Sequence, residues 1–348
     1  MGSARSSSPR ERACEGATGR IETRPGSSAP AGYVPTMSGR YVESDAFERD
    51  TTYIPDRITW EGRRPEHGPV DGELWPVQPG RYRLVAAPAC PWASRSIIVR
   101  RLLGLEDVLS LGTPGPVHDE RSWSFHLDPG GVDPVLGIER LRDAYLARDP
   151  GYDRGITVPA IVDVPTGRVV TNDFRWITHD LAHEWTPLHR PGAPDLWPAD
   201  LREEMEDVME RVYADVNDGV YQCGFAGTQA AYDAAYDRLW AALDWLEHRL
   251  STRRFLMGEQ VTEADVRLFT TLVRFDAVYH GHFKCNRSKL TELPALWGYA
   301  RDLFQMPGFG ETVDFDQIKR HYYATHHQIN PSGIVPKGPD LSGWNTPV

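Results

Sequence analysis

Shortages define this chain of 348 residues before anything it contains does. Its four cysteines, Cys14, Cys90, Cys223 and Cys285, lie far apart without metal-ligand spacing, so neither a disulfide framework nor a zinc site is indicated and a reducing cytoplasm fits. Lysine is scarce: Lys284, Lys289, Lys319 and Lys337 stand in a basic total of 38. That skew toward arginine reads as the coding bias of a GC-rich genome rather than as design. The formal net charge of −11 argues against a nucleic-acid-binding face, which needs clustered Lys and Arg, and leaves small molecules as the expected partners. No segment approaches the roughly 18 apolar residues of a membrane span, and the N-terminus lacks the apolar core of a secretory signal.

Residues 1–36 are rich in Ser, Arg, Gly and Pro with almost no large apolar side chains, so a disordered extension is expected, with Met37 as an alternative start. Residues 37–80 mix Trp60, Trp75, Pro and Gly without period and read as an extended arm lying on a domain. From Arg81 the pattern becomes regular.

A strand-like run over 81–87 ends at Cys90, and Pro91 opens an amphipathic helix to Leu103. Proline suits a first helical turn because its missing N–H would find no intrahelical partner there. The helix end is electropositive and favours thiolate, an effect that lowers a cysteine pKa from about 8.5 to as little as about 3.5. A dithiol oxidoreductase would carry its resolving cysteine at position 93, which is Ala93. The site is therefore monothiol, and a disulfide formed at Cys90 must be released by a thiol from solution. A buried, inert cysteine is the alternative reading.

A second strand near 108–111 completes a β-α-β start, and after a long insert containing Trp123 the runs 156–163 and 166–171 read as a hairpin. Asn172 and Asp173 then offer N-caps for a helix through His183. A cysteine after the first strand, with Val158-Pro159 entering a later one, is the thioredoxin-like arrangement, in which that proline is cis. Residues 195–325 are all-helical by pattern, with helices at 199–218, 229–251, 263–280 and 294–305, and Thr262 with Asp265 marking one helix start. Residues 326–348, rich in proline, should be irregular, with His326 and His327 solvated. The fold class is thus an α/β thioredoxin-like N-terminal domain over 81–190, followed by an all-α C-terminal domain.

Together these two halves look like a glutathione transferase. Cys90-Pro-Trp-Ala93, Asn217-Asp-Gly-Val-Tyr221, Leu272-Val-Arg-Phe-Asp-Ala-Val-Tyr279, Met306-Pro-Gly308, His321-Tyr322 and Ile329-Asn-Pro-Ser-Gly-Ile334 resemble the glutathionyl-hydroquinone reductases, the Xi class, from about residue 50 to about 338. The resemblance implies that Cys90 attacks the sulfur of a thiol-hydroquinone thioether, that Tyr221 donates and accepts the proton, and that Tyr279 and Tyr322 lower the pKa of the nucleophile. It implies further that Trp123 lies against the bound thiol and that the backbone of Thr157 and Val158 pairs with the tripeptide as an added strand. Family members dimerise, so a homodimer is expected, and no permanently bound cofactor is.

Two departures fall where thiol identity is read. Gly155, ahead of Ile156, stands where the family has arginine, with Arg154 one residue away; Asp173 is followed by Phe174 where transferases present serine. The co-substrate is then glutathione or another small thiol, with mycothiol the candidate. Other readings stay open: a conventional conjugating transferase, a cysteine hydrolase, and a non-catalytic transferase-fold interaction module. The pair His179 and His183, one helical turn apart, and the cluster His280, His282 and Cys285 have the chemistry of metal ligands but read better as core or surface histidines.

Overall fold

The computed structural model describes residue 2 and residues 46–347. The extension over 1–36 and the first residues of the arm lie outside the described residues, except Gly2, which is exposed. From residue 46 the arm carries two short strands, β1 (Arg57–Thr59) and β2 (Leu74–Pro76), paired in parallel. It is fixed to the body by polar anchors rather than by a periodic apolar face. The Ile54 N–H donates to Asn172 Oδ1 at 2.7 Å, Thr171 Oγ1 donates to the Ile54 carbonyl at 2.8 Å, and the buried Arg57 guanidinium pairs with Asp180.

The body begins with β3 (Tyr82–Val85), α1 (Pro91–Leu102), β4 (Ser110–Gly112), α2 (Leu141–Arg148), β5 (Ala160–Asp163), β6 (Arg168–Thr171) and α3 (Phe174–His183). The four strands form one sheet in the order β4-β3-β5-β6, with β3 parallel to β4 and antiparallel to β5, so that Leu84 faces Ile161. Every residue of β3 is buried, as a central strand covered on both faces requires. Arg83 tolerates that position because its guanidinium meets the buried Asp133 carboxylate at 2.8 Å. The β-α-β start, the hairpin and the Asp173 cap thus stand where the sequence pattern puts them, and Asp173 accepts from the Arg175 N–H. Helix α2, inside the insert, has no such forecast; it buries Leu141, Ala144 and Tyr145 on a face only two turns long.

The helical half contains α4 (Arg202–Arg211), α5 (Gly219–Gly224), α6 (Gln229–Leu250), α7 (Glu263–Arg274), α8 (Pro294–Gln305) and α9 (Phe315–Thr325). Two of the expected long helices end in π turns, Val212–Asn217 and Phe275–Tyr279. An i→i+5 turn leaves no trace in a 3.6-residue pattern and is found disproportionately at functional sites. The forecast start of α7 is present: Thr262 N–H donates to Asp265 Oδ2 at 2.8 Å, and Tyr299 donates to the other carboxylate oxygen at 2.9 Å.

Arg274, at the end of α7 and fully buried, joins the two halves. It donates to the Pro88 carbonyl at 2.8 Å, the Ala89 carbonyl at 3.1 Å and Ser94 Oγ at 2.7 Å, gripping the loop and first turn that carry Cys90. Arg95 adds a second tie, donating at 2.7 Å to Asn217, which in turn donates to Thr271. The buried apolar side chains of both halves form one continuous core. In the tail, Trp344 is buried against Trp297 and Phe304, and anchors an otherwise irregular segment. Among the described residues, no helix is long and apolar enough to cross a membrane.

Candidate active site

Cys90 is the N-cap of α1, with extended backbone angles and Pro91 at the first helical position. Its sulfur faces the Val158 carbonyl oxygen at 3.7 Å, and the Val158–Pro159 peptide is cis. Burial pushes the thiol pKa above its ordinary value. The Ala93 and Trp92 N–H groups, together with the charges of Arg274 and Arg49, pull it down without prevailing. Here the structure departs from the sequence argument. The helix end acts on the sulfur as expected, but a side chain only 8 % exposed loses more hydration than the helix end returns.

The sulfur opens onto a cleft between the halves. Trp123 and Val158 lie on the sheet side, Tyr221 and His321 come from the helical half, and Phe47 with Arg49 from the arm also line it. Trp123 stacks on His321, with ring centres 5.2 Å apart, and His321 is fixed through Nδ1 to the Pro116 carbonyl at 2.9 Å. Tyr221 is half-buried and sits just after the first π turn, whereas Tyr279, the last residue of the second, is buried behind it.

The three expected tyrosines converge, in an arrangement of their own. Tyr322 Oη lies 2.7 Å from Tyr221 Oη and 2.7 Å from Tyr279 Oη, a continuous chain of phenols. Burial raises all three pKa values, Tyr279 to about 12 and the other two well above the ordinary value, so each hydroxyl keeps its proton. Among the described residues, no hydrogen bond joins a phenol to the Cys90 sulfur. The expected donation from Tyr279 and Tyr322 to sulfur is replaced by donation among the phenols, oxygen being the stronger acceptor.

The residues assigned to thiol binding divide. Trp123 and Val158 line the cleft. Thr157 adjoins it with its carbonyl already accepting from Tyr145 at 2.8 Å and its hydroxyl from Asn172 at 2.8 Å. Ile156 is buried in the core and Gly155 is half-buried, its carbonyl 3.4 Å from the Tyr152 hydroxyl. The Asp173 carboxylate is taken: besides capping α3 it holds Arg175 through two bonds of 2.8 and 2.6 Å. Phe174 is buried under Trp92 and Tyr53, with ring centres at 4.6 and 5.5 Å, in the place of the small hydroxyl side chain the resemblance calls for.

Sequence reasoning missed Arg274, though it stands inside the Leu272–Tyr279 motif, and it missed Phe47 and Arg49, whose arm has no periodic signal. His326 needs correction: it is 4 % exposed, packed against Phe225 and Tyr322 and 3.3 Å from His282, because it is the C-cap of α9 and is held with that helix against the helical half. His179 and His183 stack face to face at 4.2 Å, with His67 edge-on to both. Among the described residues, no group of three or more His, Cys, Asp or Glu side chains is placed to hold a metal ion.

A thioredoxin-like sheet joined to an all-α half, with a cysteine at the first helix start, is the glutathione transferase fold; residues 229–302 match the model of the glutathione S-transferase C-terminal domain. The glutathionyl-hydroquinone reductase PcpF of Sphingobium chlorophenolicum is 41 % identical over 264 residues, covering 75 % of this chain and 84 % of PcpF. A crystal structure of a glutathione transferase from Gordonia bronchialis is 66 % identical with a TM-score of 0.81, covering 85 % of this chain and 89 % of that one. Glutathione-bound YqjG from Escherichia coli is 38 % identical with a TM-score of 0.75, covering 80 % and 90 % of the two chains. The chain belongs to the glutathionyl-hydroquinone reductase family, the Xi class of glutathione transferases.

Proposed function

We propose that the protein is a cytoplasmic, homodimeric reductase that removes a small thiol from S-conjugated hydroquinones through a mixed disulfide at Cys90. The observation that carries this reading is that Cys90, Trp123 and Tyr221 line one cleft, so a nucleophile, a thiol-binding surface and a proton donor face the same space. Tyr221 protonates the ring carbon that bears sulfur, giving the keto form. Cys90 then attacks that sulfur, the ring departs with the electron pair, and a second thiol frees Cys90 as a small-molecule disulfide. Ala93 in place of a resolving cysteine supports release by an external thiol, and a conventional conjugating enzyme has no need of the mixed disulfide.

Glutathione is the co-substrate that the family indicates. The buried Phe174 and the Asp173–Arg175 pair favour a finer reading, a thiol without the γ-glutamyl group, for which mycothiol fits. The test is hydroquinone release from a thiol-conjugated hydroquinone by wild type and Cys90→Ala, with each thiol in turn. Two thiol units per hydroquinone and complete loss in the variant support the reductase; retained activity removes it. Saturation at low glutathione with no turnover on mycothiol removes the finer reading.

A further inference from the structure

Arg49 is placed as no residue of an inert arm would be. Its Nε donates to Asp218 Oδ1 at 2.7 Å, and its Cζ lies 4.4 Å from the Trp92 ring centre and 4.7 Å from that of Tyr221. The guanidinium is thus clamped between an indole, a phenol and a carboxylate, with its side chain only 6 % exposed. Yet Nη2 is buried without a hydrogen-bond partner. Among the described cleft-lining residues, Arg49 is the one that leaves a buried polar side-chain atom unmatched, and it is the one arginine or lysine. An orphaned, fixed cationic donor in a cleft bounded by aromatic faces calls for an anionic oxygen on a flat ring.

We infer that Arg49 binds the ring oxygen of the aromatic substrate and stabilises the oxyanion formed there as the ring leaves sulfur. The inference rests on the reductase reading above and adds the group that receives the charge. In the keto form, the carbon bearing sulfur has gained a proton and its neighbour is a carbonyl. As the Cys90 thiolate attacks, the S–S bond forms and the C–S bond breaks. The C–S electron pair moves through the ring onto the carbonyl oxygen, which becomes a phenolate. The Cys90 sulfur and the departing thiol sulfur are oxidised to a disulfide, the ring is reduced by the same two electrons, and the phenolate then takes a proton to give the hydroquinone. A fixed donor aimed at the oxygen where negative charge develops accelerates such a step, whereas a donor that must reorganise does not. Burial opposes the charge of Arg49, but Asp218 and the neighbouring phenols outweigh it, so the cation is present throughout. The arm beginning at Phe47 therefore completes the aromatic subsite rather than merely covering it. Phe47 supports this placement by stacking on Tyr221, with ring centres 6.1 Å apart.

Two measurements on the full chain test the inference. In the first, Arg49→Gln and Arg49→Lys are compared with wild type on a thiol-conjugated hydroquinone and on 2-hydroxyethyl disulfide, which uses the Cys90 sulfur but has no ring oxygen. The loss of kcat/KM on the aryl thioether should exceed the loss on the disulfide by at least about 30-fold for Arg49→Gln, with partial recovery in Arg49→Lys. Equal losses on both substrates overturn the inference. Should Arg49→Gln fail to fold because the Asp218 carboxylate loses its cation, the double variant Arg49→Gln/Asp218→Asn removes that charge and takes its place. In the second, binding of 4-nitrophenolate and of 4-nitroanisole is followed by tryptophan quenching. Wild type should prefer the phenolate about tenfold or more and Arg49→Gln should lose the preference; a wild type that binds both alike overturns the inference even if it is an active reductase. A phenolate preference that depends on Arg49, in a protein without reductase activity, would instead sink the reductase reading and leave the Arg49 subsite standing.

Discussion

The Cys90 sulfur lies 3.7 Å from the Val158 carbonyl oxygen, an acceptor that favours a sulfur carrying its proton. Burial favours the thiol here, raising its pKa against the pull of the Ala93 and Trp92 N–H groups. Iodoacetamide alkylation of Cys90 should climb with pH through and beyond about 8.5, the ordinary cysteine value, because the thiolate fraction is still rising there. A rate that levels off by pH 7 would mean that the helix end outweighs burial.

The phenol chain makes a second claim. Tyr221 reaches the cleft, and Tyr322 connects it to Tyr279 through two contacts of 2.7 Å. Tyr221→Phe should slow turnover by roughly 10²–10⁴-fold, the range for a lost general acid. A proton relay that passes through Tyr221 predicts that Tyr221→Phe/Tyr322→Phe is little slower than Tyr221→Phe alone. Multiplicative losses, or a loss under threefold in Tyr221→Phe, would break the relay.

Thiol choice should respond to a single ring. Phe174 is buried between Trp92 and Tyr53, so Phe174→Ser is expected to cost about 3 kcal/mol of stability, readable as a lower melting temperature. The same change should lower the KM for glutathione by opening the position next to Asp173. A KM that stays fixed or rises would place thiol discrimination elsewhere.

Acid should unfold this protein early. Burial drives the pKa of His321 to about 3 and that of His282 to about 4, while His326 is also depressed, so these imidazoles are neutral when folded and gain protons on unfolding. Their stability contribution is complete above an unfolded value near 6.5 and is lost as pH falls from there toward 4 and 3. Urea midpoints should drop steeply between pH 6.5 and 4.5, and His326→Phe, which removes one such group, should flatten that slope. An unchanged slope would contradict the assignment.

Much of this was legible in the residues. Pro91 after Cys90, the Asn172-Asp173 cap and the Thr262–Asp265 pair are local signals with local causes, and the strands and helices they bound stand where the pattern puts them. Convergence of Tyr221, Tyr279 and Tyr322 came from the family resemblance, since three phenols about 40 to 60 residues apart in a helical half carry no spacing of their own. The arm and the π turns were illegible for different reasons. Arg49 is fixed by one carboxylate and two ring faces distant in the chain, and Tyr279 by a turn whose period a helical search does not sample. The effect of burial on the thiol pKa was illegible, because a helix start is visible in sequence and the depth of the sulfur is not.

Sulfur, not the ring, is what Cys90 should take from the substrate. Reduced wild-type protein mixed with one equivalent of a thiol-conjugated hydroquinone and no free thiol, then read by intact-protein and peptide mass spectrometry, decides it. The expected result is a mass gain equal to one thiol unit on the Cys90 peptide, reversed by dithiothreitol, with one free hydroquinone released. An aryl adduct, a thiol on another cysteine, or hydroquinone released with Cys90 unmodified would contradict it.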